Sequence, residues 1–435
     1  MTICIATSNF PPQIGGIATF YGHLTNLLIK EGHRVLVLIP DDIDTKNNAD
    51  EITERGGLTT IVLRNSYRQF LSDHTPYFPP GGLCAAGWIA TGMAMKDWLL
   101  KNHKTYGIDI IEVSDYGGAG IFLMSGNLPP VVVTGHGTFT QLSRYNSVRE
   151  DSQTEVVRKL ELLSLQKADA ILPYSPLNQA DLTKLVKRQI LFATAPWQES
   201  KKEIEKETDD FIYVAGGLQK IKGAVVLARA IRILAKQNDQ IRLYWAGGDT
   251  YTAPRAKKMS EYLQKKFPDI WDKNFIWLKE LLHSESMDRM ARSAIVVIPS
   301  EWETLNFVAL EAASLNKPII MTSSTGAAYL FHHGEDAYIV PANDPGQLAE
   351  AILYLQNNTL LRNKLGTNAA ASLKKVFEGK KGIEERILIY TKVIQNRRTA
   401  GNRIENELSF LSEYLTPGRK YFLKVKDFLK RVLSR

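Results

Sequence analysis

The chain is short of cysteine: Cys4 and Cys84 are its two thiols in 435 residues. Two thiols cannot build a disulfide framework or a cysteine-based zinc site. Cys4 sits in an apolar run and reads as a small buried hydrophobe. Long apolar stretches are missing too, and none approaches the roughly 20 residues that span a bilayer. The opening segment Met1-Thr2-Ile3-Cys4-Ile5-Ala6 has no basic residue, and polar Ser8 and Asn9 follow it closely. It reads as a first β-strand and not as an export signal, so the expected compartment is the cytoplasm. An excess of one charge is absent from most of the chain. The formal charge is +8, but residues 397–435 hold ten Lys/Arg against four Asp/Glu, a net +6 that leaves +2 for the rest. So balanced a body disfavours a nucleic-acid partner. A fibrous or broadly disordered chain is excluded by 44% hydrophobic and 23% charged residues.

What is present is alternation. Short β-branched runs at 3–7, 34–39, 59–63, 108–113, 130–135 and 170–174 are interleaved with amphipathic stretches such as 17–31, 82–102 and 151–167. A charged, apolar-poor break at 196–208 follows. The pattern then restarts with runs at 211–215, 241–246, 275–278, 294–298, 318–321 and 337–340, and helical stretches at 221–237, 254–267, 284–293, 304–315 and 344–377. Strand–helix alternation of this kind predicts an α/β protein with two doubly wound parallel sheets in series. The expected units are 1–195, 209–380, a helix over 381–396 and a basic tail over 397–435. In such folds a ligand lies at the carboxyl ends of the strands.

Four segments stand where such a ligand would be held. The loop after the first strand ends in Gly15-Gly16 and opens a helix, whose free N–H groups and dipole suit a phosphate. It is not a dinucleotide fingerprint. His136 lies between Gly135 and Gly137 after an apolar strand, with a near-neutral pKa suited to orienting or exchanging protons. Gly216-Gly217-Leu218-Gln219-Lys220-Ile221-Lys222-Gly223 repeats the strand, glycine loop and helix order, with two lysines placed for an anion. It is not a P-loop. The fourth segment is Pro299-Ser300-Glu301-Trp302-Glu303-Thr304-Leu305-Asn306 through Glu311-Ala312. Eight residues separate Glu303 and Glu311, which predicts both on one side of a helix, Glu303 at its start and Glu311 inside it.

In this order the four segments resemble the family 4 retaining glycosyltransferases, with the two-Rossmann GT-B fold, over about residues 1–395. The resemblance implies transfer of a sugar from a nucleotide-diphosphate donor to a glycan or glycolipid acceptor, with retention and without a metal or other cofactor. It implies that Gly15, Gly16 and Lys222 hold the diphosphate, and that Glu303, Thr304, Leu305 and Asn306 meet sugar and phosphate. Glu311 would hold the ribose hydroxyls, and His136 would lie beside the reacting sugar. The sequence departs from the family at Gly217, where an arginine usually precedes the Leu. A catalytically impaired nucleotide-sugar-binding protein is therefore an alternative, as is a sugar-nucleotide epimerase or phosphorylase of similar architecture.

Asp42-Ile43-Asp44 resembles a metal-binding DxD but reads as a solvated loop, and His332-His333 as a loop or helix end. Tyr67, Phe70, Tyr77, Phe78 and Trp88 fit either an acceptor-side aromatic surface or ordinary packing. In the tail, Tyr421, Val425, Phe428, Leu429 and Val432 recur at helical spacing, with Lys420, Lys424, Arg431 and Arg435 on another face. This is the pattern of a basic amphipathic helix, so 418–435 is a candidate contact with an anionic membrane surface at the inner face of the membrane.

Overall fold

The computed structural model describes residues 1–40, 49–74, 85–124, 127–148, 150–188, 190–198, 209–379, 381–396, 408 and 411. Asp42, Asp44, Tyr77, Phe78, Cys84 and the tail 418–435 lie outside them. The first domain is built on β1 (Thr2–Ala6), β2 (Arg34–Ile39), β3 (Glu51–Arg55), β4 (Leu58–Val62), β5 (Ile110–Ser114), β6 (Val131–Thr134) and β7 (Ala170–Leu172). They form one seven-stranded sheet in the order β3-β4-β2-β1-β5-β6-β7. All neighbours are parallel except β3, which pairs antiparallel with β4 at the edge. Every residue of β3 is exposed, and its sequence, EITER, has no apolar alternation deep enough to announce a strand.

The second domain carries β8 (Ile212–Ala215), β9 (Leu243–Ala246), β10 (Phe275–Lys279), β11 (Ile295–Ile298), β12 (Ile319–Thr322) and β13 (Tyr338–Val340). Its six strands run in the order β10-β9-β8-β11-β12-β13, all parallel. The central strands are buried on both faces, which explains their near-continuous Val and Ile content. Both sheets change winding direction beside their first strand, between β1 and β5 and between β8 and β11. The loops leaving these four strand ends are where an open α/β sheet presents a ligand.

The predicted helix over 344–377 is two helices, Pro345–Gln356 and Thr359–Phe377. Asp344 caps the first and Asn358 the second, each accepting a backbone N–H through its side chain. The last helix, Lys381–Gln395, leaves the second domain and lies against the first. Glu385 accepts the N–H and hydroxyl of Thr194 at 3.1 and 3.0 Å. An apolar cluster runs through both domains, from Phe20 and Tyr21 to Leu305, Phe307 and Tyr390. No helix among the described residues is long and apolar enough to cross a membrane.

Candidate active site

The loops after β5, β6, β8 and β11 meet across the two domains, and the loop after β1 opens the helix that packs on them through Phe20. Gly15, with φ of 150°, turns the chain into the helix Gly16–Lys30 without a side-chain cap. A Cβ on either Gly15 or Gly16 would meet nothing within 4 Å. The first-turn N–H groups of that helix have no intrahelical acceptor by position, and the glycine pair leaves them open to approach.

His136 stands at the end of β6 in a rigid frame. Its N–H donates to the Asp115 carboxylate at 2.9 Å, and the Gly137 N–H donates to the other oxygen at 3.1 Å. Its Nδ1 meets the Tyr174 hydroxyl at 3.0 Å. Phe20 presents its ring at right angles, 4.7 Å between centroids. The buried Nε2 has no partner among the described residues. Burial first, and then the charge of Arg386, lower the His136 pKa to about 3, so the imidazole is neutral at physiological pH.

A second buried carboxylate fixes the rest of this loop. Glu161 accepts the N–H groups of Gly117, Phe139 and Thr140 at 3.0, 2.7 and 3.2 Å. Burial raises it to about 7 against those hydrogen bonds. Asp115 is raised to about 8, by burial and then by Glu161. Neither carboxylate was found from sequence. Each looked like one more acidic residue near a strand end or on a helix, and only the fold reveals the backbone amides it serves.

On the second domain, Lys222 pairs with Glu303. Gly223, with φ of 79°, makes the pairing possible: a Cβ there would lie 1.9 Å from the Pro299 carbonyl oxygen. Glycine is therefore the residue that lets the Lys222 loop press onto the loop after β11. The expectation that Glu303 and Glu311 share a helix face is corrected by the structure. The helix is Phe307–Ser314, so Glu311 is on it and Glu303 is not. Glu303 is instead drawn into a short bridge with Thr325, its N–H bonded to the Ser324 carbonyl at 3.1 Å. The segment between turns at Asn306, with φ of 84°, which starts the helix without a side-chain cap. Leu305 is buried, and its carbonyl accepts the Ala327 N–H at 2.7 Å.

Glu311 accepts a hydrogen bond from His283 Nε2 at 2.9 Å, and this contact raises the His283 pKa. Lys220 is engaged elsewhere: its Nζ donates to the Tyr145 carbonyl at 2.6 Å and lies 3.7 Å from Glu301. It does not stand beside Lys222 in place of the side chain missing at Gly217.

The two sides of the cleft touch. Thr304 Oγ1 donates to the His136 carbonyl at 3.4 Å and meets the Tyr174 hydroxyl at 3.5 Å. Ser175 caps the helix Pro176–Val186 by accepting the Asn178 N–H, and its hydroxyl donates to the Thr304 carbonyl. Trp302 Nε1 donates to Asp181 at 2.9 Å, and Tyr145 stacks on Trp302. His136, Glu303 and Thr304 are thus brought to one place. Glu311 lies farther along, on the helix Phe307–Ser314, and Gly15-Gly16 stands on the facing domain.

The aromatic segment resolves toward packing where it is described. Trp88 fills the space over Gly117 and meets Tyr116 edge-on at 5.5 Å, while Tyr67 and Phe70 lie against apolar clusters of the first domain. His333 accepts the Ile339 N–H in a turn, and His332 faces Asp336.

Comparison with known proteins agrees with this architecture. The glycosyltransferase family 4 model matches residues 14–189, and the glycosyl transferases group 1 model matches residues 196–372. A glycogen synthase of Mycobacterium tuberculosis is 23% identical over 372 residues, covering 81% of this chain and 85% of the relative. A glycosyltransferase of Methanocaldococcus jannaschii is 20% identical over 417 residues, covering 90% and 98%. Among solved structures, sucrose-phosphate synthase from Thermosynechococcus elongatus superposes with a TM-score of 0.70 at 18% identity, covering 91% of this chain and 99% of that one. An α,α-trehalose-phosphate synthase from Burkholderia vietnamiensis gives a TM-score of 0.62 at 12% identity, covering 90% and 97%. Two parallel α/β domains in series, a cleft lined from both, and family matches over both halves make one conclusion: the chain belongs to the family 4-like glycosyltransferases of the GT-B fold.

Proposed function

We propose that the enzyme moves a sugar from a nucleotide-diphosphate donor to a hydroxyl of a glycan or glycolipid, with retention at the anomeric carbon and without a metal ion. The observation that carries this reading is the Lys222–Glu303 pair lying beside Thr304, which itself touches the His136 loop. A bound diphosphate would take the Lys222 ammonium and the Gly15–Gly16 helix terminus, leaving Glu303 to accept from sugar hydroxyls. Thr304, Leu305 and Asn306 would border the phosphate and sugar, and Glu311, held by His283, would accept from the ribose. The bond from the anomeric carbon to the diphosphate oxygen breaks and a bond to the acceptor oxygen forms. The acceptor proton passes to the departing diphosphate, whose growing charge Lys222 and the helix terminus stabilise. Neutral His136 is suited to this step, because an imidazolium would repel the positive charge developing on the sugar ring. The contacts across the cleft exclude water that would otherwise hydrolyse the donor.

Thermal shift against UDP-, ADP- and GDP-sugars tests the reading. A ligand at 100 times its Kd stabilises the fold by about 2.7 kcal/mol, and turnover with chelator present is expected for the donor that does so. Failure of every nucleoside diphosphate and its sugar to stabilise the protein would contradict it.

A second reading has its own observation. Gly217 offers no cation and Lys220 is committed to Tyr145, so an impaired transferase that binds without turning over is favoured by these two positions. At Gly217 a Cβ would meet the Gln219 side chain, which can move, at 3.1 Å. Gly217→Arg is therefore expected to fold and, if the missing contact limits the rate, to raise kcat about tenfold or more. An unchanged kcat would show that the enzyme does not need the arginine.

We also propose that residues 418–435 attach the enzyme to an anionic membrane surface. Their removal is expected to abolish sedimentation with phosphatidylglycerol vesicles, and undiminished sedimentation would contradict it.

A further inference from the structure

Arg386 is fully buried, as is Glu112, and the two form an ion pair at 2.8 Å inside the first domain. The arginine comes from the last helix, Lys381–Gln395, which follows the second domain in the chain. Glu112 lies on β5. Tyr390, one turn along from Arg386, donates its hydroxyl to the same carboxylate oxygen. The Thr134 hydroxyl donates to the other oxygen at 2.7 Å. Thr134 ends β6 and is two residues before His136, so this buried network sits directly under the strand end that carries the histidine. The guanidinium carbon is 5.2 Å from the Phe20 ring centroid, and Phe20 meets His136 edge-on. One aromatic ring thus separates a buried cation from the imidazole.

Stability alone is a poor reason for this arrangement. A buried ion pair recovers little more than its own desolvation cost, and well-packed apolar residues often serve as well or better. Two nitrogens of Arg386, Nε and Nη2, have no partner among the described residues, so the pair is held at less than full satisfaction.

We infer that Arg386 is a positioning residue of the transfer site: through the Glu112–Thr134 link it fixes the strand end that carries His136. The inference rests on the glycosyl-transfer reading for its purpose, since the imidazole must be held in register with the reacting sugar. The titratable groups around His136 come from every element packed on it. Tyr21 faces it from the helix Gly16–Lys30, Tyr174 from the end of β7, and Asp115 and Glu112 from β5. Arg386 and Tyr390 come from the last helix, and Glu303 with its partner Lys222 from across the cleft. A consequence is that the first domain's site is complete only with the chain's last described helix docked.

The test uses the full chain. Histidine resonances are followed by 13C NMR over pH in the wild type, with His136→Gln to identify the signal. The same titration is run on the Glu112→Gln/Arg386→Met double variant, which leaves no buried charge unpaired, and on Arg386→Lys as a charge-preserving control. His136 is expected to stay neutral to the acid limit of the folded wild type, to protonate at distinctly higher pH in the double variant, and to remain neutral in Arg386→Lys. In turnover with whichever of UDP-glucose, ADP-glucose or GDP-mannose is active, the double variant is expected to lose about tenfold in kcat with little change in donor KM. Identical His136 titration in wild type and double variant overturns the inference, and so does a kcat loss unaccompanied by that shift. Should none of the three nucleotide sugars turn over, the transfer reading fails while the NMR titration still decides the role of Arg386.

Discussion

Asp115 and Glu161 are the residues whose behaviour follows most directly from their surroundings. Each is a buried carboxylate whose backbone hydrogen bonds do not outweigh desolvation, so each holds a proton to higher pH when folded than when unfolded. A raised carboxylate stabilises the fold below its unfolded pKa, and that contribution is lost as pH rises through about 7 and 8. His136 and His23 act in the opposite sense. Burial lowers them to about 3 and about 4, so the stability they lend is present above their unfolded pKa near 6.5 and lost as pH falls below it. Thermal stability is therefore expected to peak at mildly acidic to neutral pH, between about 5 and 7, and Asp115→Asn is expected to flatten its alkaline side. A Tm rising steadily through pH 9 in the wild type would contradict this assignment. Residue-level legibility was uneven. His136, Lys222, Glu303 and Glu311 stood out because glycines or apolar neighbours framed them. Asp115, Glu161, Tyr174, His283 and Arg386 did not, because their partners are backbone amides or side chains far away in sequence: 274 residues separate Arg386 from Glu112.

At the scale of elements, hydrophobic periodicity carried most of the reading. All six strands of the second sheet fall on the apolar runs read from sequence, and its central strands β11 and β12 are buried throughout and rich in Val and Ile. The edge strand β3 escaped notice because both its faces are exposed. The start of the helix Phe307–Ser314 was misplaced for a different reason. Periodicity alone extends it back to Glu303, but Glu303 bonds to the Ser324 backbone and Asn306 turns with a positive φ. Long-range backbone pairing overrode the local preference. Loop-to-loop approach of this kind makes Gly223 an element-level hinge of the site. Gly223→Ala must either move the Pro299 carbonyl, 1.9 Å from the new Cβ, or abandon φ of 79°. It is expected to cost about 1–3 kcal/mol of stability by denaturant unfolding and to weaken nucleoside diphosphate binding, because Lys222 moves with it. A variant of wild-type stability and affinity would show that the two loops are not held together here.

For the whole molecule, the decisive feature is that neither domain completes the cleft alone. Thr304 and Trp302 of the second domain bond to His136 and Asp181 of the first, Lys220 reaches Tyr145, and the last helix brings Arg386 back to Glu112. Two α/β units in series were legible from alternation. Their mutual contacts were not, because no local pattern encodes which loops will face each other. The enzyme is a family 4-like glycosyltransferase, and its stereochemical course is the point on which the proposed mechanism stands. The most direct measurement is proton NMR of the product formed from an α-linked nucleotide sugar, with wild type and Lys222→Ala run in parallel. The account requires that the first-formed product be α-linked, and that Lys222→Ala slow its formation about a hundredfold or more. A β-linked first product, or undiminished turnover without the Lys222 ammonium, would contradict it.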